Sequence, residues 1–157
     1  MIDSLLKLVH VLAVVLWVGG MLFAHFCLRP SLGVLPGPEQ RLRLVHAVLG
    51  RFFQAVLVAA PLVLVTGLWM IGRVAKASVQ AGVPFHMPLH WTVMATLGLV
   101  MMAIFGHIRF ALYKRLSRAV AAGDWTAGAA AQAKVRTWVF VNLLIGLLIV
   151  VVTLLLG

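Results

Sequence analysis

The sequence predicts an all-α integral membrane protein, a bundle of four transmembrane helices in up-down-up-down order with both termini on the periplasmic side. Three observations predict this fold. The 157 residues are 64% hydrophobic and 10% charged, a composition too apolar for a water-soluble domain of this size. Four apolar segments reach the roughly 20 residues that a helix needs to cross a bilayer. The basic residues are concentrated in alternate connections between these segments.

The four predicted spans are residues 5–28, 52–71, 89–110 and 138–156, and they form a single domain over residues 1–157. Of the 13 Lys and Arg, four lie between spans one and two, and six belong to the connection between spans three and four when Arg109 at the end of span three is counted with it. Because Lys and Arg are retained on the cytoplasmic side, these two connections are expected to face inward. The net charge of +10 is thereby explained by topology, and the lipid bilayer, not nucleic acid, is the expected partner.

Local signals support the individual elements. Span one carries Asp3 and Lys7 at its start and no cleavage site after its apolar run, so we expect it to remain in the mature protein. Pro38-Glu39 suits the first turn of a helix, which predicts that residues 41–50 extend span two. Asp124 is a predicted N-cap for an Ala-rich helix that leads into span four.

The histidines carry the main functional signal, since ionisable groups at membrane depth mark functional sites. The predicted topology divides the six evenly between the two faces. The three near the outer face are His10, His86 and His90. The three near the inner face are His25, His46 and His107.

Spans one and three each carry one histidine near each face, an arrangement typical of membrane proteins that hold b-type haem. One or two haems are therefore predicted between these spans, with His10 and His90 as one axial pair and His25 and His107 as the other. The expected partners of the haem propionates are Arg29, Arg51 and Arg109. The function would be electron transfer, with quinone as a candidate partner, or redox sensing. On ideal helices His10 and His25 of span one are rotated by about 60° from each other, and His90 and His107 of span three by about 100°. Two haems would therefore be strained, and one haem fits at least as well as two.

The alternative is a copper site at the outer face. His86 and His90 are four residues apart, Met87 lies between them, and His10 is at a similar level. Imidazole and thioether ligands together suit copper. Such a site would exchange copper with a periplasmic partner.

A third hypothesis is a structural or assembly protein without a cofactor. Under all three hypotheses, the sequence favours a packing role for Met94, Met101 and Met102 in span three. No intramembrane carboxylate or hydrolytic motif is present, so an enzyme of this sequence would be a membrane oxidoreductase. Small residues in spans one to three permit a homodimer.

Several motifs carry a family resemblance. His10 is followed by Trp17-Val18-Gly19-Gly20 in span one, Arg51-Phe52-Phe53 opens span two, Thr66-Gly67 lies near its close, and His90 heads span three. At these positions the chain resembles the CopD-like superfamily of small bacterial membrane proteins. The resemblance implies copper uptake or tolerance and a multi-pass location in the bacterial inner membrane.

A more distant resemblance is to the HemJ-type protoporphyrinogen oxidases, which are also four-helix proteins. They bind haem through the histidine that matches His10. Their span-three motif has a lysine two residues after its histidine, whereas this chain has Thr92. Protoporphyrinogen oxidation is therefore not expected of this chain.

Overall fold

The computed structural model describes residues 1–156, and over that range it contains helices and short connections but no strand. Six α-helices follow one another along the chain. They are α1 (Ile2–Phe23), α2 (Arg29–Ser31), α3 (Pro38–Gln80), α4 (Leu89–His107), α5 (Tyr113–Ala122) and α6 (Trp125–Leu156). A π-helical turn at Ala24–Leu28 joins α1 to α2, and a second one at Ile108–Leu112 joins α4 to α5.

Four helical segments are long and apolar enough to cross a membrane, and they are built on α1, α3, α4 and α6. The protein is a four-helix, multi-pass membrane protein. Asp3 of α1 forms an ion pair with Arg73 of α3 at 2.8 Å, so the start of α1 lies beside the later part of α3. One cavity is lined by residues of all four of these helices, from the earlier parts of α1 and α4 and the later parts of α3 and α6. The four spans therefore alternate in direction, and we call this end the termini end and the opposite one the basic end.

The helix boundaries follow the predicted local signals. Gly37 is extended and Pro38 occupies the first turn of α3, which makes residues 41–50 part of one 43-residue helix. Gly123 ends α5 with a φ of +68°, a left-handed conformation that glycine adopts without strain. The backbone N–H of Ala127 donates to Oδ1 of Asp124 at 2.9 Å, so Asp124 caps α6 as predicted. Both α3 and α6 extend well beyond the predicted spans because their connections are helical too.

The basic half of the bundle is closed by aromatic packing. The ring of Phe105 in α4 contacts Trp17 of α1 at 5.9 Å and Phe53 of α3 at 6.0 Å between centroids. Phe53 in turn contacts Tyr113 at 5.3 Å. The Tyr113 hydroxyl donates to the backbone oxygen of His46 at 2.9 Å, which joins α5 to the extension of α3. These contacts fill the basic half and leave the termini half to hold the cavity.

Candidate functional site

A cavity of about 600 Å³ lies between all four spanning helices in the termini half of the bundle. Its walls are apolar apart from His10, the Trp17 indole and Thr153. Glycines from three helices line it, and a Cβ built on Gly98 would meet no atom within 4 Å. Several of its lining residues, including Val15 and Leu99, are exposed. The cavity is therefore an apolar recess, open on part of its surface, with one imidazole on its wall, a composition typical of small-ligand sites.

His10 is held by a residue of the neighbouring helix. Its Nδ1 lies 2.9 Å from Oγ1 of Thr66 in α3. The Thr66 hydroxyl has one proton, which it donates to the backbone carbonyl of Leu62, so its oxygen accepts the hydrogen bond from Nδ1–H of His10. In the neutral ring this places the proton on Nδ1 and leaves the lone pair on Nε2. Histidines that bind a metal through one ring nitrogen typically donate a hydrogen bond from the other, and this bond orients the ring.

Gly67 gives the His10 ring its place against α3. A Cβ built on Gly67 would lie 3.2 Å from Cε1 of His10, closer than ordinary van der Waals contact. Glycine at this position therefore lets the imidazole approach the α3 backbone one residue beyond its hydrogen-bond partner Thr66. The Thr66-Gly67 motif thus positions the His10 ring, since Thr66 provides the hydrogen-bond partner and Gly67 provides the space.

Three methionines of α4 line the same cavity, namely Met94, Met101 and Met102. Residues seven and eight positions apart lie on one face of a helix, and this face of α4 is turned to the cavity. The packing role expected from the sequence holds for Met101, which is 4% exposed and part of the hydrophobic core; the additional finding is that this face also lines the cavity. Their spacing was visible in the sequence, but α4 is apolar on all sides, so no periodicity marked which face turns inward.

The other predicted outer-face residues do not line the cavity. His90 is half-buried one turn before Met94, and its ring contacts Trp91 at 6.0 Å between centroids. His86 and Met87 are exposed in the extended connection before α4. Within residues 1–156, no three His, Cys, Asp or Glu side chains come together in a group that could hold a metal ion. His10, His86 and His90 are thus not assembled into one site.

The inner pair of histidines is also kept apart. His25 lies in the π-helical turn after α1 and stacks on Phe140 at 4.5 Å between ring centroids. His107, at the end of α4, contacts Trp138 at 5.5 Å. Trp138 and Phe140 are two residues apart on α6 and so point about 200° apart. α6 therefore separates the two imidazoles, and His10 is the one histidine on the cavity wall, so the paired ligation expected for haem gains no support.

The three arginines predicted to hold propionates have different surroundings. Arg51 is exposed on α3, and Arg29 lines a small pocket at the basic end together with His25. The Arg109 guanidinium lies over the rings of Phe110 and Tyr113, at 5.8 and 5.5 Å from their centroids. The three arginines therefore do not form one binding site for an anionic group, and none of them lines the large cavity.

A polar side chain in the bundle centre was not predicted as a site residue. Asn142 of α6 is 1% exposed, and neither its amide oxygen nor its amide nitrogen has a hydrogen-bond partner among residues 1–156. It precedes Gly146 by one helical turn, on the side of the basic end. Gly146 lines the cavity, and a Cβ built on it would lie 3.2 Å from Met101. An amide is therefore buried just past the end of the cavity that faces the basic half.

The similarity to known proteins is at the level of a family. The family model described as copper resistance protein D (CopD) matches residues 46–156, which is more than two thirds of the chain. The matched segment includes Thr66, Gly67 and the cavity-lining methionines, and it begins after His10. No curated protein and no solved structure matches the chain.

Proposed function

The chain belongs to the copper resistance protein D family, and from this premise we propose that it handles copper as its cargo within the membrane. In this proposal copper enters the cavity in the termini half and is bound there by Nε2 of His10 together with methionine thioethers. The observation that carries the proposal is the placement of His10 and three methionines on the walls of one cavity. The family match favours copper over haem.

The chemistry of these side chains suits Cu(I). Imidazole nitrogen and thioether sulfur are ligands that copper accepts, and thioethers select the soft Cu(I) state. Unlike carboxylates, neither group brings a charge into the membrane that would have to be neutralised. The hydrogen bond from His10 to Thr66 orients the ring before the ion arrives, which lowers the cost of binding.

The outer residues would act before the cavity does. His86 and Met87 are exposed where α4 is about to begin, and His90 lies one turn before Met94 on the cavity wall. We assign them to the first capture of copper at the termini end, which the charge distribution predicts to be periplasmic. They would deliver the ion to His10 and the methionines.

The test is a Cu(I) titration of the purified full chain in detergent, in competition with a chromophoric Cu(I) chelator under reducing conditions. We expect His10→Ala and the triple variant Met94→Leu, Met101→Leu, Met102→Leu each to lose affinity by about tenfold or more. Met70→Leu is the matched control, because Met70 lies in α3 and does not line the cavity. It should bind as the unaltered protein does.

Two results would overturn this assignment. If the unaltered protein binds no Cu(I), the copper function itself fails. If the cavity variants bind normally while His86→Ala with Met87→Leu abolishes binding, copper is held at the outer connection and not in the cavity.

A further inference from the structure

A second pocket, of about 40 Å³, opens at the basic end between the π-helical turn after α1, the first part of α3 and α6. Four polar side chains line it, in two pairs spaced four residues apart. His25 lies in the π-helical turn and Arg29 begins α2, while Gln132 and Arg136 come from α6. The remaining wall is apolar, including Val45.

Every polar side chain of this pocket can donate a hydrogen bond, and none is acidic. Arg29 and Arg136 contribute two guanidinium groups, Gln132 an amide and His25 an imidazole. The His25 ring is held in place by its stacking on Phe140, one turn along α6 from Arg136. The pocket is therefore lined by four side chains with donor groups and carries a net positive charge, and its two arginines are exposed to the surroundings.

The chain uses its acidic side chains elsewhere. Its three Asp and Glu residues are engaged as follows: Asp3 pairs with Arg73, Glu39 pairs with Arg43, and Asp124 caps α6. Within residues 1–156 neither Arg29 nor Arg136 takes part in an ion pair. Both guanidinium groups are thus left for an anion from outside the chain.

From this arrangement we infer that the pocket binds a phosphate group, with an anionic phospholipid of the leaflet at the basic end as its source. Guanidinium groups bind phosphate oxygens in a bidentate manner. The volume admits about three water-sized groups, so it fits one phosphate and not a nucleotide. Basic pockets between transmembrane helices bind the head groups of anionic lipids, and the apolar wall suits the glycerol and acyl chains. This inference does not depend on the copper proposal.

The test counts bound lipid by native mass spectrometry of the delipidated full chain in detergent. Dioleoyl phosphatidylglycerol, dioleoyl phosphatidylcholine and inorganic phosphate are the three probes. We expect one tightly bound phosphatidylglycerol, weaker retention of phosphatidylcholine, and a loss of affinity for phosphatidylglycerol of about tenfold or more in Arg29→Gln with Arg136→Gln. Arg115→Gln with Arg118→Gln is the matched control, because it removes the same charge from exposed positions on α5 at the same end. It should retain the lipid.

Each other outcome has a defined meaning. Equal losses in the two double variants would overturn the site, because they indicate general attraction to the basic end. Tight binding of inorganic phosphate without retention of phosphatidylglycerol would keep the phosphate chemistry and overturn the lipid source. If the Gln variant does not fold, Arg29→Lys with Arg136→Lys keeps the charge but loses the bidentate geometry. Unchanged lipid affinity in that Lys variant would also overturn the site.

Discussion

His10 in α1 and Thr66 in α3 form a hydrogen bond of 2.9 Å between Nδ1 and Oγ1 across the helix interface. The Thr66 hydroxyl also donates to the carbonyl of Leu62 in its own helix. One threonine therefore holds the imidazole that faces the cavity and accepts the hydrogen bond from its Nδ1. This relationship gives a direct test of how copper would be held.

Thr66→Val should weaken Cu(I) binding by about tenfold, because it keeps the volume of the side chain and removes the acceptor of the His10 hydrogen bond. Thr66→Ser keeps the hydroxyl and should bind nearly as the unaltered protein does. The measurement is the chelator competition titration on both variants. Equal affinities for the Val and Ser variants would show that the hydrogen bond does not support the ligand.

Gly20→Ala should destabilise the protein by about 1–3 kcal/mol, because a Cβ at this position would overlap the ring of Phe52 at the α1–α3 contact. The adjacent Gly19 is the matched control, since a Cβ there meets nothing within 4 Å. Thermal unfolding in detergent should show a lower midpoint for Gly20→Ala and an unchanged or higher one for Gly19→Ala. Phe52→Leu should recover part of the loss in the Gly20→Ala background, and no recovery would place the clash elsewhere.

Asn142→Leu should leave stability unchanged or raise it by about 1–3 kcal/mol, because the buried amide has no partner among the described residues and burying an unpaired polar group costs that much. Asn142→Asp should be destabilising, since ionisation in the bundle centre is more costly still. Unfolding midpoints of the two variants provide the measurement. A clear loss of stability in Asn142→Leu would mean that the amide is satisfied in the native protein, for instance by a bound water.

If copper is the cargo, the purified protein should show no Soret band; the paired histidine ligation predicted for haem is not assembled, since His10 is the one histidine on the cavity wall and α6 lies between the inner pair. Absorption spectra before and after dithionite, with copper analysis on the same sample, check this expectation. A Soret band that disappears in His10→Ala would favour haem over copper as the occupant of the cavity.

The candidate site was predictable only in part. His10 stood out in the sequence because an ionisable residue inside an apolar run is costly and rare. Met94, Met101 and Met102 did not, because thioethers are equally suited to packing in an apolar helix. The partners expected for His10 were chosen by their level in the membrane, and level does not determine which face of a helix a residue occupies. His90 is near the right level but does not reach the cavity wall.

The sequence by itself determined the class of the protein, its four spans and the starts of α3 and α6, because span length, charge asymmetry and capping are local properties. Tertiary structure decided which residues meet. The helices pack closely at the basic half, where Trp17, Phe53 and Phe105 interlock, and leave a cavity at the termini half, where glycines from three helices line the wall. The tertiary structure also brings Arg29 and Arg136 to the lining of one pocket, where neither forms an ion pair with a carboxylate of the described residues. These juxtapositions depend on the rotation of each helix about its axis, and in helices that are apolar on every side only packing sets that rotation.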